Sequence, residues 1–372
     1  MKNFNKNKQK VALLLDRIIS VFIPQKQAKT NIPIKKIVIF DFHLIGDIVL
    51  LTAFLKSLRL KYNNQYIVLV AGSWSKDILS NHPHLIDKII YFNAPWVIYQ
   101  HDLKTIINLI KLIKTLRAFH FDIGIEMRGD MRQLCLMYLS NVKNIVGYRF
   151  TGGKNFITHC VPDDGVKKHL IDYHKQISKY LGCSTKNYIP QLWLSEKEWH
   201  EIRVNKKNNK RCIIGIHPGA SLPLKMMPVD KISNIIKKLS KLNYDIIIFQ
   251  GPKEKGLVEN IVLKSDFNGI VFKGSLKAYI LKLASCNLVI SMDSSCGHIA
   301  ASIGIPVVVI FGPSPACFSH PIGNSVVNIQ LPDNKVPCRP CDQKRCVHPI
   351  FKYCLSNISE DTIISKIMNI LK

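Results

Sequence analysis

Short runs of Ile and Val alternate along this chain with longer stretches in which apolar residues recur every three or four positions. From Lys35 onward, residues 37–40, 66–71, 88–92, 122–126 and 144–148 read as strands, and 47–62 and 102–118 as helices. The alternation restarts after Arg211, with strands at 212–216, 245–250, 269–272, 288–292 and 307–311. Helices at 229–242, 253–264, 276–284 and 295–303 separate them. Strands parted by helices signal βαβ units, so the chain is expected to be α/β with two Rossmann-like parallel sheets. Such sheets bind ligands beyond the carboxyl ends of their strands.

Residues 1–33 form a distinct leader. Lys2, Lys6, Lys8 and Lys10 lead into Val11, Leu14, Leu15, Ile18 and Phe22 at helical spacing. Asp16 and Arg17 interrupt an apolar run too short for a bilayer, which takes about 20 apolar residues to cross. A basic amphipathic helix lying on an anionic membrane surface fits; a helix packed on the protein's own surface is the plainer alternative. Residues 34–194 then make a first domain and 211–357 a second. Between them, 195–210 reads as a charged helix running into an exposed linker, and 358–372 as a C-terminal helix.

Charge narrows the partners. The 52 Lys and Arg against 25 Asp and Glu leave +27, a surface that attracts nucleic acid, an acidic membrane, or phosphorylated sugars and nucleotides, so a basic nucleic-acid-binding protein is the alternative of another class. No basic stripe with interleaved aromatics and no nucleic-acid module occurs, so a nucleic-acid partner is not expected. Eleven cysteines and no signal-peptide pattern point to a reducing cytoplasm with free thiols.

The candidate chemistry lies at strand ends. Asp41-Phe-His-Leu-Ile-Gly-Asp47 follows the first strand, where Gly46 permits close approach of a ligand. Asp47 is either a helix N-cap or a functional carboxylate at a helix start. Neither a dinucleotide fingerprint nor a P-loop is present. In the second domain, His217-Pro-Gly219 opens a loop carrying Lys225, whose ammonium can meet a phosphate or stay solvated. Glu254 can accept from ribose hydroxyls or support its helix dipole. Asp293, Ser294 and Ser295 end one strand and start a helix, offering hydroxyls and amides to a diphosphate. His298, one turn further on, is a structural hydrogen-bonder or a ligand contact.

Four blocks in this order resemble glycosyltransferase family 9, the heptosyltransferases of lipopolysaccharide assembly. They are IVIFDFHLIGDIVLLTAFLKSLR, IGIHPGASLPLKMMP, LVISMDSSCGHIAASIGIPVVVIFGPSP and CRPCDQKRCVHPIFKYCLSNIS. The resemblance implies a GT-B fold, two Rossmann-like domains across a cleft, with a final helix returning to the first domain. It implies an inverting transfer that needs no metal, with Asp47 as general base toward the acceptor hydroxyl and Gly46 in the acceptor-side loop. Lys225, Ser294 and Ser295 would hold the donor diphosphate; Asp293, Glu254, Gly219 and His298 would surround the donor sugar and nucleotide. The donor is read as ADP-heptose, with a UDP- or GDP-hexose as the alternative. The acceptor is read as a lipopolysaccharide core or other surface glycolipid at the inner face of the bacterial inner membrane. Departures fall at Asp41, where many members carry a base, at Ser294-Ser295 in place of Thr-Gly, and at Met226-Met227 after Lys225.

Cys338-x2-Cys341-x4-Cys346-x7-Cys354 gathers four thiols with a spacing compatible with structural zinc or iron. His348 lies within the cluster as a substitute ligand. Reduced buried thiols or a redox-labile pair are the other readings.

Overall fold

The computed structural model describes residues 6–79, 82, 84–98, 102–209, 211–341 and 345–371. It divides into two units, Met1–Tyr188 and Ile189–Lys372.

In the first unit, strands β1 (Lys36–Asp41), β2 (Tyr66–Ala71), β3 (Lys88–Tyr91), β4 (Ile123–Glu126), β5 (Asn144–Gly147) and β6 (His159–Cys160) alternate with helices. These are α1 (Lys6–Phe22), α2 (Ile45–Lys61), α3 (Lys76–Leu79), α4 (Pro95–Ile98), α5 (Leu103–Phe119), α6 (Met131–Leu139) and α7 (Leu170–Tyr180). The sheet order is β3-β2-β1-β4-β5-β6, all parallel. Its central strands read as unbroken apolar runs because both faces are covered. Alternate residues Val38, Phe40, Val68 and Val70 share one core with Leu112 and Leu116 of α5 and Leu134 and Met137 of α6. Helix α2 is apolar nearly all round, buries Ile48 through Leu55, and packs on α7.

The leader helix α1 does lie on the protein: Ile19 packs on that same core, followed by Ile23 just past the helix, and Asp16 Oδ1 accepts from Gly153 N at 2.7 Å. Its other stripe, Leu14, Ile18, Val21 and Phe22, stays exposed.

The second unit repeats the plan with β7 (Ile213–His217), β8 (Asp245–Phe249), β9 (Ile270–Phe272), β10 (Leu288–Met292), β11 (Val307–Ile310) and β12 (Val326–Ile329). Its helices are α8 (Glu196–Asn208), α9 (Val229–Lys241), α10 (Lys255–Ser265), α11 (Leu276–Ala284), α12 (Ser295–Ser302), α13 (Tyr353–Ser356) and α14 (Glu360–Leu371). The order β12-β11-β10-β7-β8-β9 is again parallel throughout. In each unit the first and fourth strands are neighbours, which is the topological switch point of a doubly wound sheet. The α/β, GT-B-type fold class expected from the sequence is the one observed.

One expectation is corrected. The stretch 195–210 holds the expected helix, but it is tied to the second unit and not a free connector: Ser195 and Glu198 form a capping box, Ile202 is buried, and Lys206 Nζ donates to Cys286 O at 2.8 Å. The C-terminal helix is built into the second unit. Ile363, Ile364 and Ile367 of α14 enter the second unit's own core, beside α9, and Lys238 pairs with Glu360 and Asp361. The apolar stripes of α9 and α14 share this core.

Candidate active site

In the first unit the loop after β1 meets the loop after β4. Helix α2 begins at Ile45, two residues before the expected start, so the cap position falls to Leu44 and Asp47 sits inside the first turn. Asp47 is therefore not an N-cap, and Gly46 lies within that turn. The Asp47 carboxylate has Arg128 Nη1 3.8 Å away, both largely buried. Asp41, fully buried at the end of β1, accepts from His43 N at 3.0 Å and lies 2.9 Å from His43 Nδ1. Burial pushes the Asp41 carboxyl up, but the His43 hydrogen bond and the charges of His43 and Arg128 outweigh it and hold it below the usual range. The loop is pinned further by Trp74 Nε1, which donates to His43 O at 2.6 Å.

Arg128 is held in place by Glu126, the last residue of β4. One Glu126 oxygen accepts from Arg128 N at 3.0 Å and the other from Gly129 N. Gly129 takes φ +70°, a turn that a side chain would strain. Burial and the nearby Asp130 raise the Glu126 carboxyl well above its ordinary range. Behind the pair lies His174, fully buried, whose imidazole burial pushes down to about 4. Arg128, Glu126 and His174 were not singled out from the sequence. The signal available was Glu126-Met-Arg-Gly-Asp130, charged residues around a glycine at a strand end.

The second unit's switch point joins β7 and β10. A short 3-10 turn at Pro223–Lys225 brings Lys225 Nζ to 2.5 Å from Asp293 Oδ2, with both side chains less than a tenth exposed. Two residues expected to contact different parts of a donor are thus each other's counter-ions. Ser294 caps α12 by position without a side-chain cap bond and lies Oγ to Oγ 3.1 Å from Ser291. Ser295 is the first residue of α12, and His298, nearly buried, follows within its first turn.

Glu254 holds the N-cap position of α10 without a side-chain cap bond. One oxygen accepts from Gly251 N at 2.7 Å and the other lies 3.5 Å from His217 Nε2. Burial holds the His217 imidazole below its usual range, with the Glu254 carboxylate opposing. A Cβ at Gly219 would stand 1.7 Å from Glu254 Oε1, so the glycine lets the carboxylate come this close. His217, Gly219 and Glu254 thus form one group. Lys225, Asp293 and Ser294 lie at the ends of the adjacent strands β7 and β10.

Both switch points carry a cation–carboxylate pair linking the loop after the first strand to the loop after the fourth. The polarity is reversed between them. The carboxylate is on the first loop in Asp47–Arg128, and the cation is on the first loop in Lys225–Asp293.

Cys338, Cys341, Cys346 and Cys354 line one cavity of about 20 Å³ with Arg339 and Lys352. Burial, opposed by Arg339, pushes the Cys354 thiol up to about 11. Among the described residues no three His, Cys, Asp or Glu side chains already stand as a metal site. His348 faces the same cavity with its ring stacked on Tyr353 at 4.4 Å. Lys352 Nζ donates to Met226 O at 3.1 Å, tying this loop to the one that carries Lys225.

Lipopolysaccharide heptosyltransferase 3 of Escherichia coli is 25% identical over 310 residues, 79% of this chain and 88% of its own length. Among solved structures, E. coli ADP-heptose lipopolysaccharide heptosyltransferase II superposes with a TM-score of 0.71 at 18% identity, covering 91% of this chain and 98% of that one. The iron-containing dodecameric glycosyltransferase TibC of enterotoxigenic E. coli gives 0.55 at 13% identity, covering 94% and 78%. Residues 109–349, more than half the chain and including the second switch point and the cysteine loop, match the family model of glycosyltransferase family 9 (heptosyltransferase). On that match the chain belongs to glycosyltransferase family 9, and it is a glycosyltransferase.

Proposed function

We propose that this enzyme transfers heptose from ADP-heptose to a lipopolysaccharide core or a related surface glycolipid, with inversion at the anomeric carbon. The observation that carries the reading is the pair of switch points with opposite polarity, one presenting a carboxylate and the other an ammonium on its first loop. Asp47 takes the proton of the acceptor hydroxyl as that oxygen bonds to the anomeric carbon. The bond from that carbon to the diphosphate breaks, and its electron pair leaves with ADP. Lys225 and the first amides of α12 stabilise the charge gathering on the leaving diphosphate. Asp293 holds Lys225 until the diphosphate competes for it. Glu254 and His217 form the polar wall for the nucleoside, with Gly219 leaving room. No metal takes part in the transfer.

Calorimetry with ADP, UDP, GDP and CMP tests the donor. Tightest binding of ADP, weakened by Lys225→Ala, is the expected result. A preference for UDP or GDP would replace the donor and keep the enzyme; no nucleotide binding would overturn the reading.

The four thiols suit a tetrahedral thiolate site, with Arg339, itself paired with Asp333, lining the same cavity. Such an ion, zinc or iron, would be structural and hold the cysteine loop against Met226. Metal analysis of the purified protein, with Cys338→Ser and Cys354→Ser as controls, tests this. The enzyme works at the cytoplasmic face of the inner membrane, with the exposed stripe of α1 resting on anionic lipid.

A further inference from the structure

Helices α5 and α6 and the leader α1 cover one face of the first unit's sheet. Helix α5 does so through Leu112 and Leu116, and the leader through Ile19 and, just beyond it, Ile23. The opposite stripes of α1 and α5 therefore point away from the sheet on the same side. Those stripes are apolar. Leu14, Ile18, Val21 and Phe22 of α1, and Leu103, Ile106, Ile107 and Ile110 of α5, are all about half or more exposed, up to 81% at Phe22. Isolated exposed apolar side chains are ordinary, but two such stripes on one side are not. At the same helical spacing the α5 stripe continues into Lys114 and Arg117.

An open groove of about 560 Å³ lies where the chain leaving α1 meets the ends of α5 and α6. Lys26, Arg117, His120 and Tyr138 line it, and among the described residues no carboxylate does. Lys26 Nζ stands 5.3 Å from the centre of the Tyr138 ring, and Arg117 Nε is anchored on Leu139 O at 2.7 Å. Burial and the neighbouring Lys29 hold the Lys26 ammonium below its usual range. Positive charge is gathered in the groove without a partner of opposite sign lining it.

We propose that this face docks on an anionic bilayer, with the α1 and α5 stripes entering the acyl boundary and the Lys26–Arg117–His120 groove seating a lipid phosphate. The proposal rests on the membrane-surface reading above and adds to it a second helix and a headgroup site. Charge complementarity selects the occupant: α5 carries Lys104, Lys111, Lys114 and Arg117 and no acid. Among the described residues no helix is long and apolar enough to cross a membrane, so the contact is interfacial.

Co-sedimentation of the full chain with phosphatidylethanolamine–phosphatidylglycerol vesicles, against phosphatidylcholine vesicles, tests it. Binding should need the anionic lipid, and Lys26→Ala or Arg117→Ala should each weaken it about fivefold. Ile106→Ser with Ile107→Ser should weaken it as strongly, with ADP binding unchanged in every variant. If Val21→Ser with Phe22→Ser abolishes binding while the groove and α5 variants match wild type, the leader alone holds the membrane and this proposal fails. If no variant nor the wild type binds vesicles, both readings fail. Inorganic phosphate titrated without vesicles distinguishes the source. Arg117-dependent phosphate binding, with vesicle binding insensitive to Arg117→Ala, would overturn lipid as the occupant.

Discussion

Lys225 and Asp293, 68 residues apart in sequence, form a buried ion pair with Nζ 2.5 Å from Oδ2. The contact exists because β7 and β10, which end at their two loops, are adjacent in the sheet. A buried pair of this kind adds little over an apolar replacement, whereas removing one partner leaves a charge stranded. Lys225→Ala should therefore lower stability by about 3 kcal/mol as well as weaken nucleotide binding. Adding Asp293→Ala should return much of the melting temperature and none of the affinity. Recovery of both in the double variant would mean that Lys225 acts only by neutralising Asp293.

Asp47→Asn keeps the shape of the first-turn carboxylate and removes its basicity. Turnover should fall by a factor of about 10² to 10⁴ with ADP binding intact, as read by calorimetry beside a transfer assay. Arg128→Gln should also reduce turnover, because it takes away the cation 3.8 Å from that carboxylate. Unchanged rates for Asp47→Asn would remove it as the base.

Acid should unfold this protein early, and the buried histidines set the direction. Burial pushes His174 down to about 4 and His82 to about 3, while the unfolded chain takes up these protons near the ordinary value. The unfolded state thus binds more protons in between. Stability is full above about pH 6.5 and falls toward about pH 4, by up to about 1.4 kcal/mol per pH unit per histidine. Melting temperatures across that range should show the slope, and His174→Gln should flatten it. A flat profile in the wild type would contradict the buried neutral imidazoles.

Ile367 is fully buried against the second unit's core. Ile367→Ala should cost about 3 kcal/mol in denaturant unfolding. Hydrogen exchange should then report loosening of α9 along with α14, since the two pack together. Exchange confined to the first unit would contradict the observed packing.

Much of this arrangement was legible in the sequence. Doubly covered strands such as β7 and β10 must be apolar on both faces, so they stand out as runs, and strand ends then mark the loops that carry Asp47, Lys225, Glu254 and Asp293. Two of the four edge strands, β6 and β12, were not legible: β6 has two residues, and β12 follows a stretch of turns with little of its run buried. Arg128 escaped because its partner lies 81 residues earlier, and no local spacing records a contact made by strand adjacency. The start of α2 was misjudged because Leu44 holds the cap position without the polar side chain that normally announces one. The destination of α14 depended on its partner surface, which its own stripe does not name.

The contact between Gly219 and Glu254 also constrains descent. Since the carboxylate occupies the space a β-carbon would need, a side chain at the first position moves the acid at the second. A lineage that gains a side chain at the first must re-aim, shorten or lose the acid at the second, and would meet the nucleoside by other means. Residue pairs at these two positions across related chains should therefore change together, and chains that keep the glycine should be those that keep the acid.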